Sequence, residues 1–250
     1  MKGLSYRIKR TYRLFRECRY REIGYRLKSQ LIEEWVSYGL RRDLSIPHPI
    51  PKARIPIAIR ELHESDLPHL FPVDTSSLPY EEQLEIASRR AHLLHNIPTC
   101  YVAIDLRNQI PCFAQWLMGP EHNEAIADFF DGRFPRLRSD EALLENAYTP
   151  LAYRGKGIMP AAMAMIAERA SEMGRRYVLT FVSRDNTPSI KGCTMAGFRP
   201  FVVRNDTRVL FHLFKRRYFS KLPDDFILPH ERRKQLSTPA APQPVSAEPA

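Results

Sequence analysis

Two stretches of this sequence have the residue types and spacing to do chemistry. The first is Tyr153-Arg154-Gly155-Lys156-Gly157-Ile158-Met159-Pro160, between a segment patterned as a strand and one patterned as a helix. Its two glycines let successive backbone N–H groups converge on one anion, and the positive end of the following helix adds to the field. Arg154 and Lys156 supply fixed charge, and Pro160 suits a first helical turn, where a missing N–H costs no hydrogen bond. The stretch reads as a phosphate or pyrophosphate cradle, although a plain strand-to-helix turn with solvated basic side chains has the same composition. Neither the Walker A pattern nor G-x-G-x-x-G is present. The second stretch lies further along: Asn186-Thr187-Pro188-Ser189, followed by Cys193 and by Ala196-Gly197-Phe198.

Together these stretches resemble the GNAT acyltransferase superfamily, whose acyl-CoA loop reads Q/R-x-x-G-x-G/A and is followed by an N-x-x-S…G-F segment. Here the loop is Arg154-Gly155-Lys156-Gly157-Ile158-Met159, and the segment supplies Asn186, Ser189, Gly197 and Phe198. The resemblance extends from Ile55 to Tyr218. It implies an α/β fold: a mixed, twisted β-sheet, splayed between its fourth and fifth strands and flanked by helices. It also implies acetyl-CoA or another acyl-CoA as co-substrate, with no metal. On that resemblance the backbone of Ala147, Tyr148 and Thr149 faces the pantetheine amides, and Arg154, Gly155, Lys156, Gly157, Ile158 and Met159 hold the pyrophosphate. Asn186 either contacts the pantetheine arm or caps the helix that follows it.

Two positions depart from the family pattern. Met159 stands where Gly or Ala is usual, so the loop or the pyrophosphate must shift around a larger side chain. Cys193 stands where many members carry a tyrosine that protonates the leaving thiolate. A thiol with an unperturbed pKa of about 8.5 can donate a proton, while a small cysteine is as readily a packing residue. Direct transfer from a thioester to an amine requires alignment and the removal of one proton. Glu145 is the first candidate base and Glu141 the second, the alternative being that Glu145 is an ordinary solvent-facing strand residue. Asn146 and Ser189 are placed to polarise the thioester carbonyl or orient the acceptor. Glu121, Glu124, Asp128 and Asp131 could attract a cationic amine, with Phe129-Phe130 as its cover. His92 and His95 lack a third ligand for a metal.

The elements that must position these residues form one α/β domain. Strand patterns fall at 55–61, 101–106, 112–118, 143–149, 177–182 and 209–214. Helical patterns fall after Asp66, at 79–95, at 160–173 before Gly174, and at 187–196 before Gly197. The segment 119–138 reads as a long loop or a short helix.

The division expected is a basic helical extension with a Pro-rich linker at 1–50, an acyltransferase domain at 51–222, and a largely disordered tail at 223–250. Tyr20, Ile23, Leu27, Leu31, Trp35 and Tyr38 share one face at helical spacing, so residues 1–45 read as helix. Of the net charge of +10, residues 1–30 carry +8, from ten basic and two acidic side chains. That basicity suits docking on the same domain or self-association, a peripheral membrane contact, or, as a lesser alternative, nucleic acid or an organellar address. Four cysteines without a C-x-x-C pair suggest a reducing compartment, hence the cytoplasm, with peripheral attachment at the inner face of a membrane as the variant. The expected function is acyl-CoA-dependent N-acyl transfer to a primary amine of a small molecule or protein. The other reading is a non-catalytic acyl-CoA-binding or membrane- or nucleic-acid-associated module on the same fold.

Overall fold

The computed structural model describes residues 32–95, 97, 99–209, 214–223 and 226–228. In chain order the elements are β1 (Ile32–Asp43), β2 (Ile57–Glu61), α1 (Leu67–Leu70), α2 (Tyr80–Leu94), β3 (Cys100–Asp105) and β4 (Ile110–Met118). They continue as α3 (Asn123–Phe129), β5 (Glu141–Tyr148), α4 (Ile158–Glu172), β6 (Tyr177–Ser183), α5 (Thr187–Met195), β7 (Arg199–Val209) and β8 (Phe214–Lys221). The eight strands make one sheet in the order β2-β3-β4-β5-β6-β1-β7-β8. One layer packs α4 and α5 on the sheet around Met163, Ile166, Val178 and Phe198; the other packs α1 and α2 around Phe71, Ile86 and Trp116. Alanines at 161, 162, 164, 167 and 170 bring α4 close to the strands, and Gly174 ends its capping turn at a positive φ.

All neighbouring strands run antiparallel except β5 and β6, which are parallel. That parallel pairing covers only Glu141–Tyr177, Ala142–Val178 and Leu143–Leu179. Beyond Leu143 the two strands part, which is the splay expected between the fourth and fifth strands counted from β2.

The helix expected to run through residue 45 is not what residues 32–43 form. They are β1, inserted between β6 and β7 and antiparallel to both. Tyr38, Leu40 and Arg42 alternate towards the α4 layer, all buried, while Trp35 and Ser37 face the other side. A period of two from Val36 onward wins over a helical spacing that rested on only Trp35 and Tyr38 here. The expected boundary at residue 50 therefore does not divide the described chain: β1 belongs to the sheet. The helical reading of residues 1–31 lies outside the described residues.

Arg42, 2% exposed, fixes β1 to the helical layer. Its guanidinium donates to Ala164 O at 3.1 Å and Ala196 O at 3.2 Å, and pairs with Glu168. Two further expectations are corrected. Of the last strand predicted at 209–214 only the ends are described, Val209 closing β7 and Phe214 opening β8, and β7 reaches back to Arg199 because the alternating charges of Arg204, Asp206 and Arg208 hid that stretch from an apolar count. The tail predicted from 223 begins in packed form: Leu228 is buried, and the Phe226 ring lies 5.5 Å from that of Tyr38. Residues 229–250 are outside the described residues.

Gly39 marks how tightly β1 is held. A Cβ there would lie 2.4 Å from Val202 Cγ1 and 2.8 Å from Phe181 Cε1. Gly39→Ala is expected to destabilise the protein by about 1–3 kcal/mol through overpacking, read from urea unfolding. In a free helix the same change would stabilise by up to about 1 kcal/mol, so the sign of the effect decides between the two.

Candidate active site

The loop after β5 has the geometry its sequence suggested. Gly155 and Gly157 adopt φ of +74° and +69°, the left-handed region that a side chain disfavours. Gly157 is the N-cap of α4 and makes no side-chain cap. Among the described residues the backbone N–H groups of Gly155, Lys156, Gly157, Ile158 and Met159 meet no acceptor. Five successive donors at a helix start, with Pro160 next, fit a diphosphate. The Pro-rich stretch forms the platform beneath: Arg54 N–H donates to Lys156 O at 2.8 Å.

The loop borders a cavity of about 700 Å³ that also takes in Ala147 and Tyr148 of β5 with Thr149 just after it, Ser189 and Gly192 of α5 with its N-cap Asn186, and the acidic start of α2. Every predicted cofactor-binding position except Lys156 lines it. Lys156 turns aside, with its ammonium 4.8 Å from the Tyr153 ring centroid. Met159 fits because Gly192 has no side chain: a Cβ there would lie 2.4 Å from Met159 Sδ. The large side chain at the sixth loop position thus passes into α5 instead of displacing the loop. Asn186 caps α5, its Oδ1 accepting from Ser189 N–H at 3.1 Å, and its Nδ2 is left for a ligand.

Several groups here already have partners. Arg154 bonds Glu82 at 2.7 Å and Thr149 O at 2.9 Å. The Tyr148 hydroxyl donates to the same Glu82 at 2.7 Å, and Arg89 donates to Ala147 O at 2.9 Å. Sequence reasoning missed these α2 contributions, since no motif marks them.

A second cavity, about 670 Å³, adjoins the first along β5, where Glu145 and Asn146 line it. Between them the strand bulges: Asn146 and Ala147 together oppose Gln115, and Asn146 sits at φ +61°. Asn146 Nδ2 is 2.6 Å from His92 Nδ1, which makes that ring nitrogen the acceptor. His92 is buried, stacked 4.4 Å from Trp116, and burial lowers its pKa to about 4, so the ring is neutral. His92 therefore orients the bulge from behind.

Glu145 bridges the splay. Its Oε1 accepts from the Phe181 N–H, and from Thr180 Oγ1 at 3.3 Å. Burial pushes its pKa up to about 7, against the pull of that N–H and of the positive charge of Arg204. It is half-buried, lining the second cavity, while its backbone stays in register with Trp116 of β4. Glu141 sits at the paired end of β5, bonded to Arg138, away from both cavities.

Cys193 is 1% exposed in the core beneath α5 and lines neither cavity. Burial, reinforced by the charge of Glu145, holds its thiol above its ordinary range. Ser189 does reach the first cavity. The acidic acceptor loop is corrected by its ion pairs: Glu121 binds Arg175 at 2.9 Å, Glu124 binds Arg136 at 2.6 Å, and Asp131 binds Lys215. Phe129, Phe130 and Asp131 line the second cavity, whereas Glu121, Glu124 and Asp128 do not. The opposite wall, unforeseen in the sequence, comes from β1, β7 and β8: Trp35, Ser37, Arg204, Asp206, Arg208 and Arg217. Its only sequence signal is the period-two alternation at 204, 206 and 208.

No family model and no curated protein matches this sequence. Solved structures do match. A glucosamine N-acetyltransferase region of a fungal multi-domain GH3 β-N-acetylglucosaminidase aligns over 76% of this chain and 22% of that one, at 15% identity and TM-score 0.51. A GCN5-related N-acetyltransferase from Sphaerobacter thermophilus aligns over 82% and 58%, at 12% and 0.45. A putative GNAT-family acetyltransferase from Novosphingobium aromaticivorans aligns over 76% and 66%, at 14% and 0.44. This chain thus spans less than two thirds of each of these three proteins. With its splayed mixed sheet and its glycine loop between strand and helix, the chain has the fold of the GNAT superfamily.

Proposed function

We propose that this protein is an acyl-CoA-dependent N-acyltransferase, with acetyl-CoA as the first donor to test, acting on a primary amine in a ternary complex. The observation that carries this reading is the meeting of two cavities along β5. One ends in a row of unpaired N–H groups suited to a pyrophosphate, and the other holds Glu145. The amine enters the second cavity and loses a proton to the Glu145 carboxylate. Its nitrogen then attacks the thioester carbonyl; the C–N bond forms, the C–S bond breaks, and the second proton shed by the attacking nitrogen passes through water to the departing thiolate. No role is given to Cys193. Asn146 and Ser189 remain candidates for orienting the acyl carbonyl.

Isothermal titration tests the donor site. Wild type is expected to bind acetyl-CoA in the micromolar range. Gly157→Glu, which puts a carboxylate among the loop N–H groups, is expected to weaken binding by at least about tenfold. Ser189→Trp, which fills the cavity without straining a left-handed residue, is expected to do the same. Undiminished binding in both variants removes the donor assignment. Binding without turnover on any amine favours the non-catalytic reading.

Glu145 gives a pH prediction. The base form exists above about 7, so the transfer rate is expected to rise with pH through that value. Glu145→Gln should lose that limb and about 10²–10⁴-fold in rate. The stability sign is also fixed. A carboxyl raised from 4.5 to about 7 on folding binds its proton more tightly in the folded state. Its contribution is fully present below the unfolded pKa and is lost as pH rises through the folded one. Denaturation at pH 5 and pH 8 should therefore show wild type losing stability relative to Glu145→Gln at the higher pH.

A further inference from the structure

Asn146 stands where the two cavities meet on β5. Glu145 before it lines the second cavity, Ala147 after it lines the first, and Asn146 itself opens on the second. Its backbone is held at φ +61°, in the left-handed region, although it is not glycine. Its side-chain amide meets one partner among the described residues, the Nδ1 of His92 at 2.6 Å. That partner is an unexpected choice for its surroundings. The His92 ring is wholly buried, nearly parallel to the Trp116 ring at 4.4 Å between centroids, with the Phe129 ring at 4.6 Å on it as well. Phenylalanine would fill such a slot with no polar atom to satisfy, and glutamine would accept a hydrogen bond but not stack. The imidazole does both, at the cost of an Nε2 buried without a hydrogen-bond partner among the described residues. What it adds to the stack is one acceptor, turned on the amide of Asn146.

A neutral imidazole whose Nδ1 accepts carries its proton on Nε2. Its Nδ1 lone pair attracts the amide NH₂ and repels the amide oxygen, so Asn146 is held in one of its two orientations. One N–H of Nδ2 is fixed on the ring, and the second is left without a partner among the described residues. We propose that this second N–H donates to the thioester carbonyl oxygen, and that His92 is the positioning residue that holds it ready. The inference rests on the acyltransferase reading: a donor from the glycine loop and an amine beside Glu145 meet next to residue 146. As the amine nitrogen adds, the carbonyl π pair moves onto oxygen, and the N–H meets the growing negative charge. The pair returns when the C–S bond breaks. A donor aimed beforehand avoids reorganisation at the moment of reaction, which an asparagine free to turn in a cavity of about 670 Å³ would incur. His92 touches neither substrate and acts only through Asn146.

The orientation can be read with no ligand present. In the full chain at neutral pH, ¹⁵N spectra should give His92 a bare Nδ1 and a protonated Nε2, with the Nδ1 resonance shifting in Asn146→Ala. A proton on Nδ1 overturns the proposal. The donor role is read on acetyl-CoA labelled with ¹³C at its carbonyl and bound without amine. Wild type should move the carbonyl resonance downfield and lower its stretching frequency relative to free acetyl-CoA. Asn146→Ala should remove both shifts, and His92→Phe, which keeps the stack, should remove most of them. His92→Gln, which restores an acceptor, should recover part. Affinity for acetyl-CoA should stay within about threefold throughout. Aminolysis by hydroxylamine should slow by about 10²-fold in Asn146→Ala, with His92→Phe costing nothing further in that background. A merely structural His92 would cost the same in both. Equal carbonyl shifts in wild type and Asn146→Ala, or losses that add in the double variant, overturn the proposal. Should His92→Phe not fold, Asn146→Ala and the wild-type ring spectrum still decide. Failure of acetyl-CoA to bind overturns the transferase reading, whereas binding with an unshifted carbonyl overturns this proposal alone.

Discussion

The structure depends on a ladder that stops early. β5 and β6 pair over three positions and then separate, and a side chain, Glu145, takes up the Phe181 N–H that a neighbouring strand would otherwise have filled. A buried backbone donor without a partner costs about 1–3 kcal/mol, so the splay is tolerable because a carboxylate closes it. The same bond sets the carboxylate's proton affinity. Burial raises it and the N–H lowers it, leaving Glu145 near neutrality instead of trapped in either state. The bulge at Asn146 follows directly after, turning the next residues of β5 towards the cavity at the glycine loop. Opening the sheet, setting the carboxyl's proton affinity and exposing the strand end are thus one local arrangement.

The two cavities use different electrostatic means. The cavity at the glycine loop presents backbone dipoles, with the fixed charge of Arg154 held back by Glu82, which also accepts from Tyr148. Donors of this kind lose no side-chain entropy when an anion arrives. The second cavity presents guanidiniums on strands, held by cross-strand partners such as Ser37, 3.1 Å from Arg204. His92 shows a third device: a ring kept neutral by burial, whose nitrogen can accept from Asn146 at any pH above about 4.

What the sequence made legible was local. Gly155, Gly157 and Pro160 declare their conformations by their own covalent structure, and the cradle could be placed from them. β2 to β6 were readable because short runs of apolar and β-branched residues lie between clear turns. β1 was not, because strand pairing is a property of distant partners: nothing near Ser37 announces Ser183 or Arg204. Cys193 illustrates the same limit. Its spacing from Gly197 fits a catalytic position, but whether a side chain reaches a cavity or the core depends on how α5 is rotated. The acidic residues of 119–138 looked available only because Arg136, Arg175 and Lys215 are remote in sequence or on other elements.

The central position of β1 also bears on how the chain acquires its shape. Its contact between Ser37 and Arg204 spans 167 residues. Synthesis therefore yields β1 long before either neighbouring strand exists, and the sheet stays divided into two blocks until all three are present. Such non-local closure slows folding. During that interval β6, apolar at Val178, Leu179, Phe181 and Val182, presents an open edge to any strand that reaches it. Arg42 works against a mistaken partner there: a foreign strand without an arginine at that register would leave Ala196 O and Glu168 unanswered beneath it. A group that anchors the finished sheet is also a check on which strand may complete it.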